Sequence, residues 1–372
     1  MLINRRHFLW GALSAPALAA TKKQPLVERP NILIVVAEGL GAYMLGCYAN
    51  TEIRTPNIDR LSQTGVRFTN AFASTPAAPE PGPHDAALSD ALAGAGYNVN
   101  SGNSSGAEFL DAQTPAKPFF LTLTWPSPAS VTVAQKDVDQ YAKTSFEAMG
   151  WEPAAPNATH KEMLKDVPGN LRKYAAGITT LDVQLAALSA KLQQRNLWEN
   201  TLVIFTSSHG FLAGHHGLWG DGTASDPVNM YEEVVRVPLI WTWPSRFPPQ
   251  TVRNDVVSSY DLLPTVCDLT RATPPTAANR SGQSYLTFVY GRRLPKKQSW
   301  HDVVFARLRN TEMARDDRYK LVLRDQGKGA SELYDEVTDA TEKENQYDNP
   351  QYVNVRDRLT AALAAWRGRS AG

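Results

Sequence analysis

The chain has 372 residues, 42% of them hydrophobic and 20% charged, with 24 Gly, 25 Pro and 2 Cys. This globular composition excludes wholesale disorder and collagen-like repeats, and Cys47 with Cys267 alone cannot form a disulfide framework. The formal charge of +1 falls to about −1 without Arg5 and Arg6 of the leader, which leaves no electrostatic footprint for nucleic acid or an anionic membrane.

Asn4-Arg5-Arg6-His7 precedes an apolar run from Phe8 to Ala20 that ends in small residues. That pattern predicts an export signal over residues 1–20, and the paired arginines before Phe8-Leu9 resemble a twin-arginine signal. The run is too short to span a membrane, so the mature chain is expected to be soluble, periplasmic or otherwise extracytoplasmic, with no integral membrane association.

Asn31 to Val36 (NILIVV) is a continuous β-branched run, as expected of a strand buried on both faces of a parallel sheet. Thr55-Pro56 opens a predicted helix, with Thr as its N-cap and Gly65 past its end. Val66 to Thr69 reads as a short strand, His84 to Ala95 as a helix and Phe119 to Trp125 as a strand. From Asn170 to Arg195, Leu171, Tyr174, Ile178, Leu181, Leu185, Leu188 and Leu192 recur at spacings of three and four, which predicts a helix with one apolar face. Leu202 to Thr206 and Val237 to Trp241 are further buried strands. Beyond residue 295, short strands at Val303–Arg309, Arg318–Arg324 and Glu332–Tyr334 precede a helix at Pro350–Trp366. The fold class is therefore α/β, a mostly parallel central sheet between helices, followed by a small antiparallel sheet with a terminal helix. The predicted organisation is leader 1–20, α/β domain 21–295 and C-terminal subdomain 296–372, with the boundary near Arg293 to Gln298. Pro- and Ala-rich stretches at Thr75–Pro83 and Pro274–Ala278 read as loops.

Nine strings in order resemble the sulfatase family of the alkaline-phosphatase superfamily. They begin with Arg29-Pro30-Asn31-Ile32-Leu33, Leu45-Gly46-Cys47-Tyr48, Arg54-Thr55-Pro56-Asn57 and Gly65-Val66-Arg67-Phe68. They continue with Thr206-Ser207-Ser208-His209-Gly210, His216-Gly217-Leu218-Trp219-Gly220, Tyr231-Glu232-Glu233 before Arg236-Val237-Pro238, and Asp261-Leu262-Leu263-Pro264 with Glu332-Leu333-Tyr334-Asp335. The resemblance implies the family's sandwich fold and the hydrolysis of sulfuric esters. It also implies a Cys or Ser converted to formylglycine, a calcium ion on carboxylates, and Lys and His around the ester, because a dianion-like transition state needs clustered positive charge and a hard cation.

At the positions this resemblance assigns, most of those groups are replaced. The two Asp after the first strand become Glu38 and Gly39. Ala78 stands for the nucleophile and Gly82 for the signature Arg. The family's Gly-Lys-Trp-His segment falls near Gly102-Asn103-Ser104-Ser105, with no Lys, Arg or His between Gly96 and Ala116. Ser127 stands for the His after Pro126, Ser208 for the later Asp, and Asp221 for the Lys after Gly-Leu-Trp-Gly. Glu38 and His209 are what remains of the metal set. The expectation is a catalytically degenerate protein with no cofactor, since calcium has lost most of its ligands. The alternative is an active sulfuric or phosphoric ester hydrolase with a rebuilt site. His209, His215 and His216 with Glu38 could form a transition-metal site, or be a leftover ligand plus two loop histidines. Ser74 or Thr75 could replace the nucleophile, or be loop residues. Cys47 and Cys267 could pair, although each sits in a core-like string that suits a buried thiol.

Overall fold

The computed structural model describes residues 29–77, 83–102, 106–244, 246–274, 282–296, 299–324 and 329–370. Residues 1–20, where an export signal is expected, Ala78, Gly82, residues 103–105, most of the loop at 274–278 and part of the boundary at 293–298 lie outside the described residues.

The main sheet takes its strands from β1 (Asn31–Ala37), β2 (Val66–Phe72), β3 (Asn98–Gly102), β4 (Phe119–Trp125), β5 (Thr201–Ser207), β6 (Leu239–Thr242) and β7 (Thr251–Ser258). Their spatial order is β3-β4-β1-β5-β6-β2-β7. β3, β4, β1 and β5 run parallel, β6 is antiparallel to both of its neighbours, and β7 is parallel to β2. The apolar runs exist because alternate residues feed two cores. Leu33, Val35, Phe119, Leu121, Val203 and Phe205 pack on one face, and Ile32, Ile34, Phe120, Leu202 and Ile204 on the other.

Helices cover both faces. They are α1 (Pro56–Gln63), α2 (Pro83–Gly94), α3 (Ala107–Asp111), α4 (Gln135–Asp139), α5 (Val167–Gln194), α6 (Glu232–Val235), α7 (Leu262–Thr270), α8 (Leu286–Val289) and the terminal α9 (Val353–Ser370). The stripe from Leu171 to Leu192 is buried against the first core, as its spacing predicts. Thr55 is the N-cap residue of α1, but its side chain caps nothing. Asp182 of α5 does that work, accepting from the amides of Asn57 at 3.0 Å and Ile58 at 2.8 Å. The Thr55 hydroxyl instead donates to Asp59 at 3.1 Å.

The small sheet is antiparallel in the order β11-β10-β9-β8, with β8 at Val304–Leu308, β9 at Thr311–Arg315, β10 at Tyr319–Arg324 and β11 at Glu332–Asp335. Val304, Ala306, Met313 and Val322 face the main body, where they meet Phe72, Val234 and Val256. Ala314, Leu321 and Leu333 face Leu359, Leu363 and Trp366 of α9. Sequence reading missed β9 because its polar residues Glu312 and Arg315 are buried through ion pairs, not apolar contacts. It missed β3 because Asn98 to Gly102 is a polar edge strand. Both cysteines are free thiols. Among the described residues no helix is long and apolar enough to cross a membrane.

Candidate functional site

Three parallel neighbours end together. Ala37 of β1 is level with Trp125 of β4 and with Ser207 of β5. The residues that follow each strand therefore converge at one end of the sheet: Glu38-Gly39, Pro126-Ser127 and Ser208-His209. This is the carboxyl edge, where open α/β sheets place their ligands. The fourth contributor is the turn at Asp221-Gly222, whose Gly222 amide donates to the Pro76 carbonyl at 2.6 Å. That bond ties the turn to the loop leading toward residue 78.

α5 holds two of these loops. Tyr174 donates a short hydrogen bond from its hydroxyl to the Gly39 carbonyl. A side-chain carbon on Gly177 would lie 2.3 Å from the Pro128 carbonyl, so only glycine lets the post-β4 loop sit this close to the helix. Ser207 fastens the other side: its hydroxyl, with one proton to donate, lies within hydrogen-bond reach of the carbonyls of both Ala37 and His209, and it accepts from the Leu40 amide at 3.2 Å. Tyr174 was legible in the sequence only as part of an apolar stripe. Its hydroxyl becomes a loop latch because the ring reaches the strand end, which spacing along one helix cannot reveal.

Gly39 adopts φ +58°, and a Cβ placed on it would be 2.7 Å from Ser127 Oγ and 3.6 Å from His209 Nε2. The space a longer side chain would need is thus taken by Ser127 and bordered by His209. His209 is 4% exposed at its side chain. Its Nδ1 is 3.0 Å from Ser208 Oγ, and its Nε2 is 3.8 Å from Asp221 Oδ2. Burial pulls its pKa down to about 4 despite the nearby Asp221 carboxylate, so the ring is neutral at physiological pH. Asp221 is itself anchored, accepting from the amide of Thr223 at 2.8 Å and from its hydroxyl at 2.6 Å.

The structure separates His209 from His215 and His216. His216 Nε2 lies 3.3 Å and His215 Nδ1 3.6 Å from the Glu233 carboxylate, and His216 stacks on Tyr231 with ring centroids 3.6 Å apart. Among the described residues, one trio of His, Cys, Asp or Glu side chains brings its ligand atoms within 4.8 Å of one another: His216, Glu233 and Glu342. Glu38, His209 and Asp221 make no such group. The Ser74 backbone is fixed by its amide, which donates to Ser259 Oγ at 3.0 Å, and by its carbonyl, which accepts from the Arg307 amide at 3.0 Å.

Two family models match the chain. Residues 103–272 match the Sulfatase model, and residues 217–369 match the C-terminal model of N-sulphoglucosamine sulphohydrolase. The chain belongs to the sulfatase family. It is 22% identical over 431 residues to the ulvan-active sulfatase of Formosa agariphila, covering 93% of this chain and 81% of the relative. It is 23% identical over 452 residues to an uncharacterised sulfatase, YidJ, of Escherichia coli, covering 91% and 87%. Among solved structures, a protein in complex with its substrate D-glucosamine-2-N,6-O-disulfate superposes with a TM-score of 0.77 at 17% identity, covering 92% of this chain and 98% of that one. The phosphonate monoester hydrolase of Agrobacterium radiobacter gives 0.73 at 18%, covering 92% and 96%. At these identities the structural neighbours establish the fold.

Proposed function

We propose that this chain is an exported sulfatase-family protein that no longer hydrolyses sulfuric esters. The observation that carries the reading is the Gly39 position: it supplies no carboxylate, its φ of +58° disfavours any side chain, and a Cβ there would lie 2.7 Å from Ser127 Oγ, which would have to move. Asp221 supports it, since a carboxylate beside His209 repels an anionic ester where the family resemblance calls for a cation. Ala78 and Gly82 support it from sequence, having neither a nucleophile nor a guanidinium. Calcium does not fit the donor set. Calcium takes six to eight oxygens, several of them from carboxylates, whereas here Glu38 and Asp221 are the carboxylates at the strand ends, Gly39 has no side-chain oxygen, Ser127 and Ser208 offer neutral hydroxyls, and His209 offers nitrogen.

The purified protein is expected to carry no stoichiometric calcium, and millimolar calcium should leave its melting temperature unchanged, because an ion that does not bind the native state cannot stabilise it. Elemental analysis finding one calcium per chain, with a raised melting temperature, would overturn the reading.

A second reading has one observation in its favour. Ser208, His209 and Asp221 line up as hydroxyl, neutral imidazole and carboxylate, the order of a nucleophilic relay. An ester hydrolase rebuilt on Ser208 would use that line. Two features weaken it: 3.8 Å is beyond hydrogen-bond length for His209 and Asp221, and the imidazole is almost wholly buried.

A further inference from the structure

A cavity of about 360 Å³ opens where the β8–β9 turn meets the end of α9, lined by Arg307, Arg309, Asn310, Glu312, Leu323 and Arg367. Three guanidinium groups face one carboxylate, so the cavity carries an excess of positive charge. Glu312 is 9% exposed and organises two of them. Its Oε1 accepts from Arg307 Nε at 2.8 Å and its Oε2 from Arg367 Nε at 2.6 Å. Burial pushes this carboxyl up, but the hydrogen bonds from Arg367 and Arg307 outweigh it and hold Glu312 below the usual range, so it stays charged.

Arg307 is also fixed from the side. Its guanidinium lies 5.0 Å from the centre of the Trp366 ring, which in turn stacks on Phe305 at 5.2 Å. Arg309 sits in the turn at φ +53° and is exposed. Along the same face of β8 lies a second cavity of about 240 Å³, with Tyr260, Phe305 and Trp366 on an aromatic wall and Ser258, His301 and Asp302 on a polar one. Phe305 and Arg307 point toward α9, while Val304 and Ala306 point into the main body. The groove is therefore separate from the strand-end site.

We propose that this groove between β8 and α9 binds a sulfate or phosphate monoester carried on a ring-sized organic body. The ester oxygens meet Arg307, Arg309 and Arg367, and the body lies against the aromatic wall. Guanidinium forks match tetrahedral oxyanions in charge and geometry, and two arginines pre-set by a buried carboxylate lose less entropy on binding than free ones. A local excess of charge inside a cavity, on a chain near neutrality, suits one ester group better than a nucleic-acid backbone, which calls for a long basic track.

The probes are glucose 6-sulfate and glucose 6-phosphate, titrated calorimetrically into the full mature chain, with glucose and inorganic sulfate as controls. At least one ester should bind more tightly than inorganic sulfate, and glucose should give no heat. Arg309→Gln removes an exposed turn residue that does not touch Glu312, so its melting temperature should match wild type. Ester affinity should nevertheless fall about fivefold or more, the loss of one charge-assisted contact. Arg307→Gln should weaken binding as well, and Arg60→Gln, an exposed arginine on α1, should not. No heat with either ester, or an affinity that Arg309→Gln and Arg60→Gln leave equally unchanged, would overturn the proposal. So would inorganic sulfate binding as tightly as both esters, which marks an adventitious ion only. Failure here leaves the reading of the strand-end site untouched, because none of these residues belongs to it.

Discussion

Replacing Lys320 with Met should destabilise the protein by about 3–5 kcal/mol, the usual cost of breaking a buried ionic network by removing one partner. Lys320 is 0% exposed on β10 and points, like Val322, toward the main body. There its ammonium contacts Glu342 closely, Glu232 of α6 at 3.3 Å and Glu336 at 3.6 Å. Burial pulls its pKa down, but these three carboxyls more than compensate, and the ammonium stays charged beyond its ordinary range. Arg315 of β9 shares Glu232 at 3.3 Å. The network joins the small sheet to the main body beside apolar contacts such as Val322 and Val234. Met matches the volume of Lys but leaves the buried Glu232 carboxylate, which Arg315 shares, with one cation fewer, and it strips Glu336 and Glu342 of their ammonium partner. Urea unfolding of Lys320→Met is the check, and a loss below about 1 kcal/mol would mean that the pairs break even against an apolar replacement.

The same cluster sets a second large effect. Stability should fall as pH rises from 7 to 9. Burial raises Glu336 to about 9 and Glu342 to about 8, with Lys320 opposing and neighbouring carboxylates adding to the rise. In the unfolded chain both titrate near ordinary glutamate values and are ionised at pH 7. The native state therefore holds more protons than the unfolded state across this window, and stability declines until the folded values are passed. His209 and His215, both lowered mainly by burial, act in the opposite sense only below about pH 6.5, where unfolded histidine gains its proton. The expected loss between pH 7 and 9 is about 3 kcal/mol, from about 1.4 kcal/mol per pH unit for each fully differing group. The double variant Glu336→Gln, Glu342→Gln should flatten the slope, because neutral amides have no proton to lose. An unchanged slope in that variant would place the titrating groups elsewhere.

The sheet was legible in the sequence because NILIVV and LVIFT carry their own explanation: both faces of β1 and β5 are covered, so every residue is apolar. The convergence of Glu38, Gly39, Ser127, Ser208 and His209 could be read from family order alone, since each follows a strand that the runs identify. Pairing across the site could not. That Asp221 faces His209, or that Tyr174 latches Gly39, depends on how separate loops fold onto one edge. His215 and His216 adjoin His209 in sequence but leave it in space, because His216 turns at φ +58° to stack on Tyr231 and meet Glu233. The Lys320 network was invisible for a similar reason. Its members look like ordinary surface charges until β9, β10 and α6 come together.

If, as proposed, the carboxyl edge of the main sheet no longer turns over sulfuric esters, aryl esters should pass through it unchanged. The most direct measurement is hydrolysis of p-nitrophenyl sulfate and p-nitrophenyl phosphate by the mature chain, co-expressed with a formylglycine-generating enzyme and assayed with calcium. A His209→Ala variant is assayed beside it. Wild type and variant should both be indistinguishable from buffer for both esters, as the proposed loss of the nucleophile and of the calcium ligands requires. Turnover of either ester by the wild type that disappears in His209→Ala would contradict it, and a matching loss in Ser208→Ala would identify the rebuilt relay as the working site.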